Sequence, residues 1–168
     1  VACLIAAIKQ ANVQPGPRHE IRLAAGTYTL TAVDNETDGP NGLPSITGQL
    51  TIKGVGTDIT IIERANTAPD FRLAHIAAAG TLTLEGLTLQ GGQTGDLGGG
   101  LVNQGTVIIR NCKLVGNSAG SGGGIVNFIS ATAILTNSTV VENTAGSGAG
   151  VFNFSGMLMT IPFSPIIL

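Results

Sequence analysis

The apolar positions of this chain come in short alternating runs, and the runs repeat. Gly80-TLTLEGLTLQGGQTGDLGGGLVN-Gln104, Gly105-TVIIRNCKLVGNSAGSGGGIVN-Phe128 and Ala131-TAILTNSTVVENTAGSGAGVFN-Phe154 read as three copies of one unit. Their Asn103, Asn127 and Asn153 are 24 and 26 residues apart. Within the second unit, Val107 and Ile109, then Cys112 and Leu114, then Ile125 with Asn127 alternate with a period of two. That is the period of a strand, and each run is only ~3–5 residues long. A coil of three such strands cannot bury its own inward face. Stacking the next coil ~4.8 Å away pairs the backbone groups and builds a continuous core. The pattern therefore predicts a right-handed parallel β-helix.

Equivalent residues then form ladders along the axis. Leu89, Leu114 and Val140 make one apolar ladder, and Leu101, Ile125 and Val151 another. Asn103, Asn127 and Asn153 make a polar one, with Asn111 over Asn137 and Asn117 over Asn143 as two more. Stacked Asn side chains can bond one another and the corner backbone, and Asn tolerates the left-handed conformation of sharp corners. The reading for these Asn is structural. The triplet Gly98-Gly99-Gly100 and its counterparts at 122–124 and 148–150 (where Ala149 replaces the middle Gly) suit corners where backbones approach closely.

One domain over residues 1–168 is expected, in four parts. Residues 1–13 carry Leu4, Ile5 and Ile8 at helical spacing, a short helix placed to cap the open end of the β-helix before Pro15-Gly16-Pro17. Residues 20–79 hold the first coils, with Ile21, Leu23, Tyr28 and Leu30 in one and Ile52, Val55, Ile59 and Ile61 in the next. Between these coils lies an acidic excursion, 34–45, read as solvated. Residues 80–154 are the regular coils, and 155–168 an incomplete or edge coil. A step of 26 places Met159 under Ala133, Ile161 under Leu135, Ser164 under Ser138 and Ile166 under Val140, with Phe163 in place of Asn137. Pro162 and Pro165 each remove a ladder donor, so they act as a stop, or the chain is part of a longer helix. The start at Val1 reads as a mature or trimmed end.

Composition narrows the function classes. Charged residues are 11% and the net charge is −2, with no basic patch, which argues against nucleic acid. Mean hydropathy is +0.37, but no apolar stretch is long enough for a transmembrane helix. Aromatics are 4% with no Trp, which weakens the case for an aromatic sugar platform. Cys112 falls in an apolar ladder between Leu87 and Ser138 and reads as a buried free thiol, far in sequence from Cys3.

Candidate chemistry is sparse. Asp34, Glu36 and Asp38 followed by Gly39 resemble the start of a calcium loop, although Ser45 stands where that loop has Glu. Calcium at these three residues is the one cofactor the sequence suggests. His75 and His19 are isolated from other metal-type residues. Glu85, Asp96 and Glu142 do not share a ladder: Glu85 falls over Arg110, and Asp96 over Ser121. Asp58, Glu63, Arg64, Asp70 and Arg72 come nearest to a lyase-like set but are not spaced by one coil. A flat Thr array of the ice-binding kind is broken, since Thr83 and Thr88 are followed by Ile108 and Lys113.

The motifs GGGL (98–101), GGGI (122–125) and GAGV (148–151), with LVGN (114–117) and VVEN (140–143), resemble the GGA[ILV] and FxxN repeats of the chlamydial polymorphic outer-membrane proteins. The opening Cys3-LIAAIKQAN, IRLAAGTYTLT and NGLPSITGQLTIKGVGTDITIIER are similar to the N-terminal region of related bacterial extracellular β-helix proteins, where a Cys-Ser-Leu-Arg-Glu-Ala-Ile helix caps the first coil. The Arg-Glu pair is missing here. The resemblance covers about residues 2–154. It implies export, a position outside the cell or on its surface, and a structural or adhesive role. Self, by end-to-end stacking, or a cell-surface glycan is the partner this reading allows. A polysaccharide lyase or hydrolase of pectin-lyase-like fold is the alternative, resting on fold alone.

Overall fold

The computed structural model describes residues 1–14 and 18–161. The helix stop at Pro15-Gly16-Pro17 and the placement of Pro162, Phe163, Ser164, Pro165 and Ile166 lie outside those residues. What is described is a parallel β-helix with an N-terminal cap. The helix α1 (Ala2–Val13) buries Leu4, Ile8 and Ala11 and packs on the first coils. Among the described residues no helix is long and apolar enough to cross a membrane.

The first coil contributes β1 (His19–Arg22) and β2 (Gly26–Leu30). The second has β3 (Gln49–Lys53), β4 (Thr60–Arg64) and β5 (Ala74–Ile76). The third has β6 (Thr81–Glu85), β7 (Thr88–Gln90) and β8 (Leu101–Asn103). The fourth has β9 (Thr106–Arg110), β10 (Lys113–Val115), β11 (Ser118–Ser121) and β12 (Ile125–Asn127), and the fifth repeats it as β13 (Thr132–Thr136), β14 (Thr139–Val141), β15 (Thr144–Ser147) and β16 (Val151–Asn153). β17 (Met157–Ile161) opens the next turn. Three long sheets result, ordered β1-β3-β6-β9-β13-β17, β2-β4-β7-β10-β14 and β5-β8-β12-β16, and every pairing between these strands is parallel.

Alternation decides what enters the core. Leu50, Leu82, Val107 and Ala133 form one inward column of the first sheet, and Ile52, Leu84, Ile109 and Leu135 the next. Ile62, Leu89, Leu114 and Val140 fill the second sheet, and Leu101 and Ile125 the third. Each large apolar side chain buried this way is worth ~1.5–3 kcal/mol against leaving it exposed. The Gly-rich corners are as close as expected: a Cβ on Gly99 would lie 2.8 Å from the Gly123 carbonyl oxygen, and one on Gly124 2.5 Å from that of Gly150.

Four expectations are corrected. In the second coil the inward residues of β4 are Thr60, Ile62 and Arg64, while Val55 and Ile59 are exposed and Ile61 is half-buried. The corner at Gly54–Gly56 turns one residue later than simple alternation implies. At the other end, Ala133 pairs with Leu158 and Ile134 with Met159, a step of 25 where 26 was expected. The corner is the cause: Asn127 to Thr132 takes five residues, but Asn153 to Met157 takes four. A one-residue slip exchanges the faces, so Leu158 points in and Met159 is exposed. The Ser/Gly-rich strands β11 and β15 carry too few apolar residues to be seen as strands in sequence. Lastly, the excursion 34–45 is solvated only in part: Asn41, Gly42, Leu43 and Pro44 are buried, and Asn41 and Ile46 bridge in parallel to Arg72 and Ile76. Its second half is the irregular third side of the first coil.

Candidate functional site

The Asn ladders are built as the spacing predicts. Asn103 Nδ2 donates to Asn127 Oδ1 at 2.7 Å, and Asn127 Nδ2 to Asn153 Oδ1 at 2.8 Å. The same amides cap corner carbonyls, Thr132 for Asn103 and Gly156 for Asn153. Asn103 and Asn127 are fully buried. Asn117 Nδ2 donates to Asn143 Oδ1 at 3.0 Å, and Asn137 Nδ2 to Asn111 Oδ1 at 2.6 Å. Asn111 and Asn137 both have left-handed backbone, with φ of 51° and 47°. These side chains are occupied in holding coil to coil. Cys112 is a buried free thiol, pushed up to about 11 by burial, and Cys3 is an exposed one.

Asp34, Glu36 and Asp38 are not brought together. The Asp34 carboxylate takes Lys9 of α1 at 2.7 Å, Glu36 is exposed, and Asp38 turns the other way, towards His75. Among the described residues no group of three or more His, Cys, Asp or Glu side chains is placed to hold a metal ion. Gly39 has a different use. Its φ is +108°, and a Cβ there would lie 2.8 Å from Nη2 of Arg72. The glycine lets the loop close over that guanidinium.

The chemistry of the molecule gathers under this loop. His75 is on the outward face of β5 but is fully buried, because Ser45 and Asp38 flank its ring. Ser45 Oγ is 2.6 Å from Nδ1, and Asp38 Oδ2 is 3.3 Å from Nε2. With the ring proton on Nε2, facing the carboxylate, the Ser45 hydroxyl donates to Nδ1. The Nε2–Asp38 pair has ion-pair distance without hydrogen-bond alignment, so Nε2 lacks a directed acceptor. Burial holds the His75 pKa below its ordinary 6.5; Asp38 draws it up, Arg72 pushes it down, and Gln104 raises it. Arg72 is fully buried, with Nε donating to the Leu97 carbonyl at 3.1 Å and Nη1 to the Asp38 carbonyl at 2.8 Å. Its Nη2 has no acceptor. Burial lowers the Arg72 pKa, and the carboxylates of Asp96 and Asp38 oppose that shift.

Beside this cluster runs a groove of about 230 Å³ lined by Asp38, Arg72, Leu97, Val102, Gln104 and Phe128. It follows the outer side of the third sheet. The register sets His75, Val102, Val126 and Phe152 in one outward column. Gln104, Phe128 and Phe154 follow the ladder Asn residues and form the column beside it. Phe128 stacks on Phe154 at 5.4 Å, and Phe152 meets Phe154 edge-on at 4.5 Å. Three of the five Phe thus share one face, which the low aromatic content hid. Their 26-residue spacing from 128 to 154, one place after the Asn ladder, was the available signal.

The chain matches no protein-family model, no curated protein and no solved structure. The site rests on its own geometry. Of the lyase-like set only Arg64 and Asp70 are shown to meet, at 3.8 Å; Arg64 is otherwise buried against the carbonyls of Ala65 and Ala68, while Glu63 points outward to Thr29 and Gln90. Glu85 does pair in register with Arg110, and its carboxylate holds Lys53 at 2.7 Å. Leu97, one residue after Asp96, is the partner of Ser121. The row Ser45–His75–Asp38 has the residue types of a nucleophile, base and orienting acid. Its polarity is reversed for that use: the carboxylate, 55% exposed, is the end at the groove, and the hydroxyl lies beyond the imidazole. A substrate in the groove would meet Asp38 and Gln104, not Ser45.

Proposed function

We propose that this chain is a non-catalytic β-helix module with a structural and adhesive role, working outside the cell in the manner of the bacterial extracellular β-helix proteins its motifs resemble. The observation that carries the reading is the reversed Ser45–His75–Asp38 row, which faces the groove with a fixed carboxylate and keeps its hydroxyl away. Such a row ties the loop to β5 and presents polar groups for binding. The Asn ladders support the same reading, because they turn buried polar residues to coil stacking.

The test is an incubation with neutral and acidic polysaccharides, reading their chain length over time. Unchanged chain lengths are expected. Shortening that disappears in Ser45→Ala or His75→Gln would establish the lyase or hydrolase reading instead.

A further inference from the structure

The groove has the make-up of a small-ligand site: one apolar wall and a few convergent polar groups. Val102 and Leu97 supply apolar surface, and Phe128 an aromatic ring. Phe154 stacks on Phe128 from one side, which leaves the side towards Gln104 to the groove. The Gln104 amide donates to Asp38 Oδ2 at 3.3 Å, so an amide and a carboxylate stand side by side at the rim. Arg72 lines the wall, with its Nη2 buried under the Gly39 loop.

We propose that this groove binds one ring of a neutral saccharide, resting on the reading of the chain as an adhesive module. The carboxylate and amide pair accept from and donate to neighbouring hydroxyls, as a flat bidentate edge does. The apolar C–H face of the ring lies against Phe128 and Val102. Charge selects against acidic sugars, because the cation in the groove wall, Arg72, is already under the influence of two carboxylates, Asp96 and Asp38. Size selects for a single ring or chain end, since about 230 Å³ is below the ~300 Å³ at which drug-sized pockets begin.

The experiment is a calorimetric titration of the whole chain with cellotetraose, mannotetraose and galactotetraose, against trigalacturonate as the acidic probe. The same titrations are run on Gln104→Ala, Phe128→Ala and, on another face, Glu142→Ala, with circular dichroism confirming that each is folded. A neutral probe should bind, trigalacturonate should not, and both groove variants should weaken binding about tenfold or more while Glu142→Ala leaves it unchanged. Gln104 is half-buried and donates to Asp38 at the rim, so that variant keeps the test valid if Phe128→Ala unfolds. Binding by none of the three neutral probes, binding that both groove variants retain, or preference for trigalacturonate would each overturn the proposal. None of these outcomes touches the chain-length assay, which decides the non-catalytic reading separately.

Discussion

Asn127 shows how a single residue holds neighbouring coils. It accepts from Asn103, donates to Asn153 and sits within 3.2 Å of the Met157 carbonyl, all without contact with water. Asn127→Leu keeps the size but leaves Asn103 Nδ2 and the corner carbonyls short of partners, which should cost ~1–3 kcal/mol by thermal or denaturant unfolding. An unchanged midpoint would remove the ladder from the account. His75 supplies a second test, with pH as the variable. Its pKa lies below the ordinary 6.5, so the folded chain binds its proton less readily than the unfolded chain. The stability it contributes is therefore complete above about pH 6.5 and is lost as pH falls below that value. The stability gap between wild type and His75→Gln should narrow from pH 7 to pH 5, and a constant gap would contradict the assignment. The two residues also differ in how far sequence could reveal them. Asn127 stands in a repeat and was visible by spacing. His75 meets Ser45 from 30 residues away, and Asp38 from an irregular first coil with no repeat to count along.

At the scale of elements, the alternating runs placed most strands, because period two and the inward face are one fact. Corners were the weak point, since their length is set by backbone geometry and not by hydrophobic pattern. That is why β17 lies one residue from its expected register, and why β4 turns Ile62 inward in place of Ile61. The register of β17 is open to a direct check. Leu158 packs on the core and Met159 is 45% exposed, so Leu158→Ala should lose ~1 kcal/mol or more and Met159→Ala within ~0.5 kcal/mol. The reverse order would restore the step of 26. The acidic excursion was legible as a loop but not as a lid over Arg72. Its buried half pairs through isolated bridges, with no strand pattern of its own.

For the whole molecule, the proposed working surface is the side of the β-helix and not its ends. The column from His75 to Phe152, with Gln104, Phe128 and Phe154 beside it, puts polar and aromatic groups along one flank. One end is closed: α1 lays Leu4, Ile8 and Ala11 on the first coils, so a chain stacking there must first displace buried apolar surface. Head-to-tail filaments need both ends open. Light scattering of the purified chain over a wide range of concentration tests this most directly. A discrete mass that does not grow with concentration is expected. A mass that rises continuously, with rods lengthening along the β-helix axis under the microscope, would contradict it and move the functional surface to the ends.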